Sequence, residues 1–215
     1  EKISTMASLR KLGIDQVRLE GRRVLMRIDL NVKIQNGRIV SLRRLEEGVP
    51  TIKYALEKGA SVVLISHVGR PNGRFVPSLS LKQFVPYLEK RLARAVGFVG
   101  DCVGADVLAR VQELKPGQVL LLENLRFHAE ETGQGVSSQA VSKFREFLSS
   151  LGDIFVQDAF GASHRAHSSI NGLTIPERAA GLLMMKELDY FSDALEEPQR
   201  PSLAIIGGGS LEKKT

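Results

Sequence analysis

Short apolar runs alternate along the chain with longer segments whose apolar residues recur every three or four positions. The runs at 23–29 (RVLMRID), 61–66 (SVVLIS), 96–99, 118–123 (QVLLLE) and 154–158 (IFVQD) predict buried strands. A last run, 202–206 (SLAII), predicts a further strand leading into Gly207-Gly208-Gly209. Between them, 45–59 carries Leu45, Val49, Ile52 and Leu56 on one face and stops at a glycine, which predicts an amphipathic helix. Helices are also predicted over 81–92, capped by Ser80, and over 106–114, 138–151 and 180–195. The stretch around Asn36-Gly37 reads as a loop. Nearly continuous apolar strands separated by helices imply a mainly parallel sheet covered on both faces. The expected fold is a three-layer α/β/α domain.

In such open sheets, ligands bind just beyond the carboxyl ends of the strands. The unusual polar residues fall there. Asp29 and Asn31 follow the first strand, and Ser66-His67-Val68-Gly69-Arg70 follows the second. Glu123-Asn124-Leu125-Arg126-Phe127-His128 follows QVLLLE; Asp158, Gly161 and His164-Arg165-Ala166-His167 follow IFVQD. Guanidinium groups match phosphate and carboxylate oxygens with paired N–H bonds. Arg70, Arg126 and Arg165 with His67 are therefore expected to hold a small anion, with Asp29 and Asn31 on a hydroxyl of the same molecule. Each residue also has a structural reading: Arg126 could pair with Glu123 or Glu130, Asp158 could cap the next helix, and His164 could be structural. The His164-x-x-His167 pair lacks the helical spacing and carboxylate or Cys partners of a metal site, so no metal is expected. Ser168 and Ser169 lack a nucleophile-elbow context, and no Walker-type phosphate loop is present.

Charge narrows the partner. The 215 residues hold 30 Lys+Arg against 24 Asp+Glu, a net charge of +6. Residues 1–100 carry 19 basic and 8 acidic side chains, whereas 101–215 carry 11 and 16. A basic half suits an anionic partner. Nucleic acid is disfavoured, because aromatics are only 6% of the chain and fall mostly on helix core faces. The single cysteine excludes a disulfide framework and points to a reducing, cytoplasmic compartment. No apolar run approaches the ~20 residues of a membrane span. At roughly 150 residues per domain, the length corresponds to about 1.4 domains, and the chain begins at Glu1 instead of Met, as a processed or trimmed start would.

The strand-end loops, in this order, resemble the phosphoglycerate kinase family. The matching blocks are RVLMRIDLNV (23–32), VVLISHVGRPNG (62–73), DCVG (101–104), LLENLRFHAEE (121–131), DAFGASHRAHSSINGL (158–173) and GLLMMKELDYFSDALEEPQRPSLAIIGG (181–208). The resemblance implies a Rossmann-like substrate domain that binds 3-phosphoglycerate, hinged to a second domain for Mg-ADP or Mg-ATP. It implies substrate contacts from Asp29, Asn31, Arg44, His67, Arg70, Arg126 and Arg165, with Gly161 and His164 supporting and Arg44 also opposing charge on the transferring phosphoryl group. Adjacent Arg43 competes with Arg44 for that place. The implied division is a substrate domain over 1–179, a connecting helix over 180–199, and the start of a nucleotide domain over 200–215.

The chain departs from the family pattern at Leu30, Lys33 and Gln157, and more sharply after residue 208. Gly207 and Gly208 match, but Ser210 stands at a family lysine, Lys213 at an aspartate, and only Lys214 could match the second lysine. The chain alone is therefore expected not to catalyse and to bind no cofactor, Mg-ATP or Mg-ADP requiring a C-terminal domain. The alternative is a non-catalytic relative acting as a structural or interaction subunit, with a protein partner covering 180–206.

Overall fold

The computed structural model describes residues 11–195 apart from Asn36, together with Pro201 and Leu203. The predicted strand at 202–206, with Gly207, Gly208, Ser210 and Lys214, lies outside the described residues. The apolar runs become short strands: β1 (Arg23–Arg27), then, after the hairpin β2 (Ile34–Gln35) and β3 (Arg38–Ile39), β4 (Ser61–Ile65), β5 (Val96–Val99), β6 (Val119–Leu122) and β7 (Ile154–Gln157). With β8 (Glu177–Ala180) they form one parallel six-stranded sheet in the order β5-β6-β4-β1-β7-β8.

Helices α1 (Arg43–Glu57), α2 (Val85–Leu92), α3 (Ala105–Gln112), α4 (Ser138–Ser149), the one-turn α5 (Ser168–Asn171) and α6 (Leu182–Leu195) complete the α/β fold. Side chains alternate across a strand, and two cores result. Val24 and Met26 of β1 join Val62, Leu64, Ile154 and Val156 beneath α1 and α2. Leu25 joins Val63, Ile65 and Phe155 beneath Val107 of α3 and Phe144 and Leu148 of α4. The next residue on that second face is Arg27, a fully buried cation where the alternation calls for an apolar side chain.

Three elements differ from expectation. The expected loop is flanked by an antiparallel hairpin, Ile34–Gln35 against Arg38–Ile39, with Gly37 at φ 70°, and these two-residue strands are too short to show a period. The helix expected from Ala180 begins at Leu182, because residues 177–180 form the edge strand β8 beside β7. Its sequence, ERAA, has no apolar run, and tertiary pairing alone makes it a strand: Ala180 N–H donates to the Leu12 carbonyl at 2.8 Å. Ser80 caps a 3₁₀ turn, Leu81–Phe84, that leads into α2.

Sheet order decides where a ligand can sit. The chain adds β4 and β5 on one side of β1, slips β6 between them, then crosses to place β7 on the other side. The carboxyl ends of β1, β4 and β7, and the loop after β6, thus open on one edge.

Candidate functional site

Beneath that edge lies a buried polar network centred on Arg27. Its Nη2 lies 2.6 Å from His67 Nδ1, Nη1 donates to the Ile28 carbonyl at 2.7 Å and Ser66 Oγ at 3.2 Å, and Nε donates to Ser169 Oγ at 3.1 Å. Ser66 Oγ in turn donates to the Ile28 carbonyl and accepts from Leu30 N–H, tying β4 to the turn after β1. Ser169 donates its hydroxyl (2.6 Å) and backbone N–H (3.0 Å) to the fully buried Glu131 carboxylate. A buried charge is tolerated only when hydrogen-bonded or paired, and this network meets that condition. Burial still pushes the Arg27 pKa down and that of Glu131 up.

Above the network, a cavity of about 480 Å³ is lined by Arg70, Asn72, Gly73, Arg126, Arg165 and His167, among others, and no carboxylate is among its lining residues. Arg126 is only 7% exposed. Asn124 holds it there: the Asn124 side chain donates to the Val68 and Leu79 carbonyls and accepts from Arg126 N–H. Glu123 is not its counter-ion, because that carboxylate takes Ser80 Oγ–H at 2.6 Å and Leu81 N–H at 2.7 Å. Arg126 Nη1 donates to the Gly69 carbonyl at 2.9 Å, while its buried Nε makes no hydrogen bond among the described residues. Burial, then the nearby Arg165 and Arg27 charges, push the Arg126 pKa down to about 10. Arg70 is exposed and Arg165 half-buried, and neither side chain forms an ion pair among the described residues.

Both histidines beside these cations are neutral at pH 7. Burial, followed by the Arg126 and Arg165 charges, lowers His167 to about 4. His67, 3% exposed, is pushed far below the usual histidine range by burial and then by Arg27 and Arg126. His164 is exposed and immediately precedes Arg165 in the loop after β7.

Arg44 stands apart. It ion-pairs with Asp29, and both line a second cavity of about 380 Å³ with Phe160, Gly161, Leu183 and Glu187. A Cβ on Gly161 would lie 3.2 Å from Asp29 Oδ2 and 3.5 Å from Arg44 Nη1, so this glycine lets the loop after β7 approach the pair. Arg43, more exposed, lines the same cavity and pairs with Glu47 at 2.8 Å. Asn31 accepts from Gly69 N–H at 3.0 Å, fastening the loop after β4 that carries Arg70. The residues expected to act together line two cavities with no lining residue in common, one arginine-lined and one of mixed charge.

Asp158 has a third task. Its Oδ1 accepts from Met184 N–H at 3.1 Å at the start of α6, where Thr51 Oγ1 accepts from Leu182 N–H. A Cβ on Gly181 would fall 2.2 Å from Asp158 Oδ1, so only glycine passes there. Burial raises the Asp158 pKa to about 7, against the lowering effect of hydrogen bonds from the Thr51 side chain and the Met184 and Leu183 N–H groups. Among the described residues, Asp101, Cys102 and His128 also bring metal-type donor atoms within 4.8 Å. Asp101 Oδ1 is already shared between His128 Nε2 and the N–H of Cys102 and Val103, and burial raises the Cys102 thiol pKa.

Sequence reasoning named the arginines that line this cavity and placed Ser66 at a strand end, but gave no role in the site to Arg27, Glu131 or Ser169. A charge inside an apolar strand was the available signal for Arg27; Glu131, in a polar loop, offered none.

Comparison with known proteins agrees with the fold. A sequence model of the family described as phosphoglycerate kinase matches residues 14–215. The phosphoglycerate kinase of Schistosoma mansoni is 50% identical over 216 residues, covering 96% of this chain and 52% of that protein. That of Dictyostelium discoideum is 48% identical over 215 residues, covering 95% and 51%. The solved structure of phosphoglycerate kinase from Coxiella burnetii superposes with a TM-score of 0.81 at 34% identity, covering 95% of this chain and 50% of that one. The chain spans about half the length of the relatives it matches.

Proposed function

The chain belongs to the phosphoglycerate kinase family, and on that premise we propose that its arginine-lined cavity binds 3-phosphoglycerate. One observation carries this reading: Arg70, Arg126 and Arg165 face one space of about 480 Å³ whose lining residues include no carboxylate. Crowded, partly desolvated cations are costly without an anion, and a phosphate meets all three with charge-assisted hydrogen bonds. The mixed-charge cavity would take the other end of the ligand. Arg44 would exchange part of its contact with Asp29 for the ligand, and Asp29 and Asn31 would take its hydroxyl and carbon chain. Gly161 and His164 belong to the loop that presents Arg165.

Within a complete enzyme of this family, the reaction is phosphoryl transfer between 1,3-bisphosphoglycerate and ADP, giving 3-phosphoglycerate and ATP. The contribution of these residues would be orientation and electrostatic opposition to the phosphoryl charge. Mg-ATP or Mg-ADP would be held by a nucleotide domain and not by the cavities described here. Isothermal titration of 3-phosphoglycerate into the chain tests the reading. Saturable binding that disappears in Arg126→Ala supports it; no heat at millimolar ligand defeats it.

A second reading rests on α6, whose Tyr190, Phe191 and Leu195 are exposed apolar side chains. There the chain would serve as an interaction subunit whose partner covers this helix. A concentration-independent monomer by light scattering, with no change on Tyr190→Ser, would count against it.

A further inference from the structure

The Arg27 network lies beyond the residues assigned to the ligand, yet it touches one of them. Arginine carries donors and no acceptor. Its Nη2, 2.6 Å from His67 Nδ1, can only donate, so Nδ1 must present a lone pair and the ring proton must sit on Nε2. Nε2 itself makes no hydrogen bond among the described residues and is not among their fully buried unpaired polar atoms, which leaves it open to an incoming acceptor. We propose that Arg27 is a positioning residue that holds His67 as a neutral Nε2–H donor for an oxygen of the bound anion.

The geometry leaves Arg27 little freedom to do otherwise. Ile28 O and Ser66 Oγ take Nη1, Ser169 Oγ takes Nε, and Glu131 fixes Ser169 through two bonds. With Nη1 and Nε committed, the guanidinium plane is set and Nη2 is aimed at the imidazole. The charged and titratable groups acting on His67 come from β1 (Arg27), the turn after β6 (Arg126), the loop after β7 (Arg165) and the residue before α5 (His167). The three arginine charges each oppose an imidazolium. The positive charge of the site thus belongs to its arginines, and His67 supplies direction without charge. Such a donor keeps its role at any pH at which the arginines keep theirs.

The proposal rests on the anion reading above, but its main test needs no ligand. The chain has four histidines, so side-chain nitrogen NMR of the ¹⁵N-histidine-labelled protein resolves them. His67 should show a protonated Nε2 and a bare Nδ1, unchanged from pH 8 to pH 5. An Nδ1–H tautomer, or an imidazolium above pH 5, overturns the assignment. In Arg27→Gln, His67 should become a tautomer mixture that titrates, and affinity for 3-phosphoglycerate should fall about tenfold. Lost affinity with an unchanged tautomer would also overturn it. If that variant does not fold, the wild-type spectrum alone decides. A wild-type chain that shows the expected tautomer yet ignores 3-phosphoglycerate supports Arg27's role and defeats the ligand reading.

Discussion

The sheet has a cavity at each end, and the two look alike by size and charge. At the amino end of β5 and β6, Arg94, Arg110 and Lys115 line a space of about 430 Å³; at the carboxyl edge, Arg70, Arg126 and Arg165 line one of about 480 Å³. They differ in what each cation already has. Arg94 is exposed and donates to the Gly117 carbonyl at 2.6 Å, Arg110 and Lys115 are exposed, and Glu113 shares the lining. Arg126 is buried, has an unbonded Nε, and is pressed by other arginines. Solvated cations near a carboxylate gain little from an incoming anion. Desolvated cations without one gain much. Counting charges does not find an anion site; accounting for their solvation does.

The largest expected effect tests that contrast directly. Arg126→Ala should weaken 3-phosphoglycerate binding at least about 100-fold, the scale for losing charge-assisted bonds at a buried site. Arg94→Ala should change it less than about twofold. Calorimetric titration of both variants measures the pair, and equal losses would erase the distinction between the cavities.

The same contrast applies to carboxylates. Asp29 has a cation beside it, whereas Asp158 is buried with only hydrogen-bond donors, and its pKa rises from 3.8 to about 7. Folded Asp158 keeps a proton that the unfolded chain has released, so stability from this group falls as pH rises between those values. The slope reaches about 1.4 kcal/mol per pH unit. Urea denaturation at several pH values should show Asp158→Asn lacking that slope. Parallel curves for variant and parent would mean that Asp158 titrates normally.

A smaller effect is expected at Arg44. It is half exposed and already paired with Asp29, so Arg44→Ala should cost about tenfold in 3-phosphoglycerate affinity, less than Arg126→Ala. The reverse ranking would move the centre of the site to the mixed cavity. Smallest of all, Arg94→Ala should alter unfolding free energy by no more than about 0.5 kcal/mol, the usual range for an exposed side chain.

How much of this was legible in the sequence depends on range. Period-two and period-3.6 patterns report which side of an element meets the core, and they located β1, β4, β6, β7 and α1 closely. They could not report β8, whose ERAA sequence is a strand only because β7 and Leu12 lie on either side of it. The strand-end rule placed Arg70, Arg126 and Arg165 on one edge, because in a parallel sheet the loops after strands must share that edge. It could not separate Arg44 from them, since that depends on which acid each arginine meets. Nor could it find Glu131, whose partner Ser169 is 38 residues away.

The sequence by itself determined the layered α/β fold, the family and the edge on which polar chemistry collects, because these follow from periodicity and chain direction. Only the tertiary structure decided which cations are desolvated, which are already satisfied, and which nitrogen of His67 carries its proton. Those depend on solvation and on hydrogen bonds between distant segments, which no local pattern encodes.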